Sequence, residues 1–260
     1  MKLSNVNVDK MMEFCTKKEI DLLIFMGQFQ DNFGVIKGIN YKDAMAAIGI
    51  SKSTFYKLME GLEAKGMVTV NRRHADYAYW ELTIVDNVFD TKDDYKKGYL
   101  RLNHEILHSD SFKKMTKSEK VIVIHLLRIA DFSSQKIKVT WHTLKNWTGK
   151  SQRSVKKFVQ TLGMVFKIIK LNNAILIDKF IGFDLRVGSE KDVRNRHLIN
   201  FALKRTNCRA EERDIRDSVT VFKQFKIDVA DKIIQLLKRS INQFGTLAPA
   251  YLNKLAQITP

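Results

Sequence analysis

No stretch of this chain is apolar for long enough to cross a membrane: runs such as VIVIHLL (121–127) fall well short of the roughly 20 residues a helical span needs. The opening MKLSNVNVDK has no apolar core, so no signal peptide is expected. Cysteine is nearly missing. Cys15 and Cys208 stand far apart with no motif around either, which excludes a disulfide framework and leads us to expect a reducing cytoplasm. Glycine is also sparse, at 12 in 260 residues.

The arrangements that carry catalysis are missing too. No Ser-His-Asp or Cys-His set can be read from spacing, and His125, His142 and His197 are dispersed as structural histidines are. TGKS (148–151) has the end of a phosphate loop, but the glycine such a loop begins with would be position 144, which is Leu144. HEILH (104–108) matches His-Glu-x-x-His, where two histidines one helical turn apart hold zinc and the glutamate polarises water. Its context fails: no glycine stands three residues after His108, and Glu119 is better read as a helix cap. A non-enzymatic chain with no catalytic residue, metal or cofactor is therefore expected.

Acidic residues are scarce where basic ones are dense. The net charge is +17, unevenly spread: residues 1–90 hold 11 Lys+Arg against 12 Asp+Glu, residues 91–187 hold 20 against 8, and residues 188–260 hold 14 against 8. Attraction to a polyanion therefore belongs mainly to the middle of the chain and its tail, through counterion release that weakens with salt.

What is present, twice, is one design. GISKSTFYKLMEGL (49–62) and GKSQRSVKKFVQTL (149–162) lie one hundred residues apart. Ser51 and Ser151 are placed to cap a helix start, and Phe55, Leu58, Met59 and Leu62 recur at the spacing of one buried face, as do Val155, Phe158, Val159 and Leu162. Upstream, TKKEIDLLIFMGQF (16–29) answers TKSEKVIVIHLLRI (116–129), each opening on a Thr-x-x-Glu capping box, and NYKDAMAAIG (40–49) answers TWHTLKNWTG (140–149). Downstream, breaks at Gly66 and Gly163 lead into β-branched hairpins, long at 67–84 and tight at 164–177. Helix, helix, turn, helix, hairpin is written twice.

That pattern, carried by GISKSTFYKLMEGLEAKGMVTVNRRHADYAYWELT and its second copy, resembles the winged variant of helix-turn-helix proteins over about residues 16–85 and 116–180. The fold expected is mainly α with small β-hairpins: two tandem winged helix-turn-helix domains (1–90 and 91–187) and a C-terminal helical segment (188–260). The resemblance implies binding to double-stranded DNA, with the early residues of each third helix facing base edges. In the second copy Gln152 suits adenine and Arg153 guanine, while Lys156 and Lys157 would grip phosphate beside Lys150. In the first, Ser53, Thr54 and Tyr56 are the matching readers, flanked by Lys52 and Lys57, with Arg72, Arg73 and His74 at a wing tip suited to a minor groove.

YLRLNHEILHSDSFKKMTKSEKVIVIHLLRI (99–129) is similar to the opening of winged-helix replication initiators from plasmids and phages of Gram-positive bacteria, through Leu100, Ile106, Leu107, Ser109, Ser111, Phe112, Lys113 and the capped helix at Thr116. In that family one domain often dimerises while the other makes the main DNA contact, and the near-neutral first copy suits that division. Self-association through the first domain or the C-terminal helices is accordingly expected, in a cytoplasmic protein associated with a nucleoid or plasmid. A transcriptional repressor is the alternative role, and an interaction module without DNA binding a second. In the tail, Arg194, Arg196, Arg205, Arg209, Arg213 and Arg216 lie on stretches of helical spacing, where a solvated surface is the simpler explanation and a DNA- or partner-binding module the sharper one.

Overall fold

Local capping decides where each element begins. In the computed structural model, which describes residues 1–71, 80–101, 109–129, 137–163, 166–180 and 190–258, the chain enters with β1 (Lys2–Ser4) and α1 (Asn5–Phe14). The first unit follows: α2 (Lys17–Gly27), β2 (Val35–Ile39), α3 (Tyr41–Ile48), α4 (Lys52–Ala64), β3 (Val68–Asn71) and β4 (Trp80–Ile84). A connection holds α5 (Lys92–Lys96), β5 (Tyr99–Arg101) and α6 (Asp110–Lys114). The same order then returns as α7 (Lys117–Ile129), β6 (Ile137–Thr140), α8 (Trp141–Thr148), α9 (Gln152–Leu162), β7 (Phe166–Lys170) and β8 (Ala174–Phe180). Four helices complete the chain: α10 (Glu190–Arg205), α11 (Glu212–Gln224), α12 (Ala230–Phe244) and α13 (Pro249–Ile258). The fold is mainly helical with small antiparallel sheets.

The hundred-residue offset is kept at the atomic level. Thr16 and Thr116 each accept the amide of the third helical residue, Glu19 or Glu119, at 3.4 Å, and each glutamate returns a bond to the threonine amide, at 2.6 and 2.7 Å. Asn40 and Thr140 cap α3 and α8, which both end on a left-handed glycine, Gly49 at φ 66° and Gly149 at φ 62°. Ser51 and Ser151 then cap α4 and α9. The sheets match as well, each with its last strand in the centre: β2-β4-β3 and β6-β8-β7.

Those sheets correct the sequence expectation of a hairpin alone. A third strand, β2 or β6, enters between the first and second helices of each unit and pairs with the far strand of the hairpin. Both are short, and their apolar residues are satisfied only by a partner about forty residues away, so local pattern gave them no signal. Unexpected too are α1, capped by Ser4, and the antiparallel pairing of β1 with β5, which ties the amino terminus to the connection between the units.

One continuous core runs from Met1 through Ile177 and so spans both units, whereas residues Leu198 to Ala256 form a second core inside the four C-terminal helices. The units meet along α1, α2 and α7. Lys120, fully buried, pairs with Asp21 and lies 4.5 Å from the Phe112 ring centroid, Arg128 Nη1 reaches Asp9 at 2.6 Å, and Lys117 donates to the Glu13 carbonyl at 3.1 Å. Burial pushes the Asp21 carboxyl up and the Lys120 ammonium down, each partly held in its charged form by the other.

The C-terminal helices seat on the first unit's β2 edge. His197 Nε2 donates to the Lys37 carbonyl at 2.7 Å and its ring lies 4.3 Å from that of Phe29, while the Ala230 amide donates to Asp31 Oδ2 at 3.2 Å. Lys37 bridges Glu81, at 2.7 Å, and Asp231. Gly38, at φ 78° beside a register shift, is what lets Phe201 in: a Cβ there would lie 2.5 Å from the Phe201 ring.

Removing one partner of a buried ion pair strands the other, so Lys120→Met is expected to lower unfolding free energy by about 3 kcal/mol in urea titration. The double change Asp21→Leu with Lys120→Met should recover most of that loss. A pH effect follows from His125, whose ring stacks on Trp147 at 4.4 Å with a 10° tilt. Burial, joined by the Arg128 charge and only partly opposed by Asp9, lowers its pKa from 6.5 to about 4. Between those values the unfolded chain binds a proton that the folded ring refuses, so stability is full above 6.5 and falls as pH drops toward 4. His125→Phe should flatten the urea midpoint against pH in that window, leaving the contribution of His197, which burial also lowers.

Candidate nucleic-acid interface

In the second unit the glycine turn at 149 and the Ser151 cap set α9 across α8, and three apolar residues, Val155, Val159 and Leu162, bury its inner side. Leu58 and Phe158, expected on the buried faces, are half-buried and packed against the core. With the inside fixed, Gln152, Arg153, Lys156, Lys157 and Gln160 are all exposed. They form one wall of an open groove of about 770 Å³ whose other wall is the turn between β7 and β8, with Lys170, Leu171 and Asn172, and whose floor includes Trp141. An adjoining recess of about 470 Å³ adds His142 and Lys145 from α8.

The floor holds the two walls at a set spacing. Trp141 donates from Nε1 to the Asn172 carbonyl and from its backbone amide to the Asn173 carbonyl, both at 3.2 Å, and Lys156 Nζ lies 5.8 Å from its ring centroid. Turn, helix start and the outer face of α9 are thus tied through one side chain.

The charge in this groove works against the helix that carries it. Arg153 occupies the positive end of α9, whose first turn has no acid, and it stands one helical turn from Lys157. Each arrangement costs a few tenths of a kcal/mol. Among the described residues neither of these cations nor Lys156, Lys170 or Lys145 has an ion-pair partner. Several cations of the C-terminal helices do have acid partners: Arg194 and Lys191 pair with Asp228, Arg196 with Glu212, Arg213 with Asp217 and Lys223 with Asp192. The groove and its adjoining recess thus gather Arg153, Lys156, Lys157, Lys170 and Lys145 on one exposed surface, whose electrostatic potential is attractive to anions.

The first unit presents a different face at the same positions. Where the second has Arg153, Lys156 and Gln160, the first has Ser53, Tyr56 and Glu60, so its helix surface keeps Lys52 and Lys57 against an acid. Lys52 Nζ lies over the Tyr41 ring at 4.9 Å, and the hydroxyls of Ser53 and Thr54 bond the cap oxygen of Ser51 at 3.0 and 2.9 Å. Tyr56 is half-buried, 5.5 Å from Trp80 and 6.4 Å from Tyr41 between ring centroids. Lys57 is exposed.

Of the expected site residues, the structure therefore brings Gln152, Arg153, Lys156 and Lys157 together in the groove, and puts exposed Lys150 in the preceding turn. Arg72, Arg73 and His74 lie outside the described residues, as does the HEILH stretch. Lys170, Leu171, Asn172, Trp141, His142 and Lys145 were not singled out from sequence, although the tight hairpin and the aromatic after the Thr140 cap were visible signals for the first four. Among the described residues no helix is long and apolar enough to cross a membrane, and no three His, Cys, Asp or Glu side chains cluster as metal ligands would. Comparison with known proteins gives no match to a family model, to a curated protein or to a solved structure.

Trp141→Phe keeps the ring and removes the indole donor. Stability should fall by about 1 kcal/mol. Amide exchange at Leu171, whose N–H closes the turn onto the Ala174 carbonyl at 2.8 Å, should rise by more than that global loss accounts for.

Proposed function

We propose that the chain binds duplex DNA through two winged helix-turn-helix units, the second making the main contact. The carrying observation is the groove between α9 and the β7–β8 turn, lined by Arg153, Lys156, Lys157 and Lys170 with no acid to match them among the described residues. An exposed helix of this width suits a major groove, where Gln152 and Arg153, first in the helix, reach base edges and the lysines reach phosphate. The repeat order of elements and the central position of the last strand in each sheet support the winged reading.

For the first unit a supporting part is favoured by the packing of Tyr56 and by Glu60 in place of Gln160. That unit contacts protein or adds a few phosphate contacts, while the second carries affinity. The biological role we assign is initiation of plasmid or phage replication, on the likeness of the 99–129 segment to such initiators; it requires no catalytic step by this chain.

A salt-resolved shift assay tests the reading. Arg153→Ala should relax sequence preference at one position, with about 1–3 kcal/mol less discrimination there. Lys157→Ala should weaken binding to all duplexes alike and reduce the slope of log affinity on log salt by about 1. Unchanged affinity in both would remove the assignment. Recovery of iterated direct repeats beside an AT-rich tract marks an origin, and a single palindrome overlapping a promoter marks a repressor instead.

A further inference from the structure

The β7–β8 hairpin turns through the exposed, polar Asn172 and Asn173 and carries exposed apolar side chains on the stretch that leads into them. Leu171 is 41% exposed and Ile169 43% exposed. Strand alternation puts these two on one face, and the pairing register sets half-buried Leu176 of β8 opposite Ile169 and exposed Lys138 of β6 opposite Leu176. Single exposed apolar residues need no explanation by themselves. Here, however, Leu171 lines the same groove as Arg153, Lys156, Lys157 and Lys170, on a turn pinned at both asparagine carbonyls by Trp141.

We propose that Leu171, backed by Ile169, is a wedge that enters the minor groove next to the major groove holding α9, partly unstacks one base step and bends the duplex there. The inference rests on the reading of the second unit as a duplex-binding one. Three requirements of such a wedge are met together: an exposed apolar side chain of suitable size beside the turn, a stiff mount, and flanking cations to hold the anionic backbone against it. Unstacking is opposed by the duplex, and the bend offsets this by drawing phosphates toward Lys170 and Lys145 of α8. Pyrimidine–purine steps deform most easily, so the wedge selects a TA or CA step.

A second copy of the chain is the competing occupant of such an apolar surface, and charge argues against it. It would bring its own strongly cationic middle region up to the same patch. Nor does the tip offer the seat that the C-terminal helices use on the first unit: they place Phe201 on Gly38, and the position one hundred residues on is Lys138.

The test uses the full chain and end-labelled duplexes of about 30 base pairs, recovered from a random pool by the wild-type protein, with energy transfer reporting the bend. The wild type should bend its site by about 20° or more. Leu171→Ala should abolish most of that bend, lower affinity about five- to tenfold and erase the preference at one pyrimidine–purine step, with the salt slope reduced as well because the phosphates the bend brings to Lys170 and Lys145 are released. Leu171→Met should restore the bend, and Lys170→Ala should keep it while reducing the salt slope by about 1. Unbent DNA with the wild type, or a full bend with Leu171→Ala, overturns the wedge and leaves duplex binding standing. A Leu171→Ala defect confined to oligomer size in sedimentation also overturns it, in favour of a self-association patch. Failure of the wild type to retain any duplex overturns the DNA-binding reading and the wedge with it.

Discussion

The left-handed glycine at 149 is the constraint on which the candidate interface depends. An L side chain at that φ costs about 1–2 kcal/mol, so glycine is what allows α8 to stop and Ser151 to begin α9 only three residues after α8 ends. Once that angle is set, burial of Val155, Val159 and Leu162 leaves no freedom in which side chains face outward. Gly49 imposes the same constraint in the first unit. The two helices are therefore presented by the same geometry, and what differs between them is chemistry alone.

That difference is one of balance. In the first unit and the C-terminal helices, several charged side chains help hold the molecule together: Lys65 with Glu19 at 2.5 Å, Lys37 between two acids, Arg194 with Asp228. Glu19 shows the consequence, since burial alone would raise its pKa and the bonds from Lys65 and Thr16 bring it below the ordinary value. Across the α9 groove the cations have no acid partner among the described residues. They weaken their own helix slightly and leave its outer surface cationic.

Much of this was legible because its signals are local. A capping box spans four residues, a left-handed glycine and a serine cap span three, and a buried helix face repeats every three or four, so α2, α4, α7 and α9 announce themselves along the chain. The expected readers Gln152 and Arg153 lie where such local rules put them. What the sequence did not yield is non-local: β2 and β6 exist through strands far along the chain, β1 through β5, and the groove's second wall only because Trp141 reaches the hairpin turn. The same distinction explains Tyr56. Its position on the helix marks it as outward-facing, and only the approach of Trp80 from the sheet makes it part of the packing.

The seam between the units has a consequence for what each half must share with the other. Asp21 meets Lys120, which are positions 21 and 20 of the repeat, so the halves touch through corresponding faces of the same helix, as identical subunits about a twofold axis would. Identical subunits would have to be self-complementary there, each supplying both the acid and the base. Within one polypeptide that obligation disappears: one half keeps the carboxylate with Ile20 beside it, the other the ammonium with Val121. With no symmetry to satisfy at the seam, a change on one side of it need not be mirrored on the other.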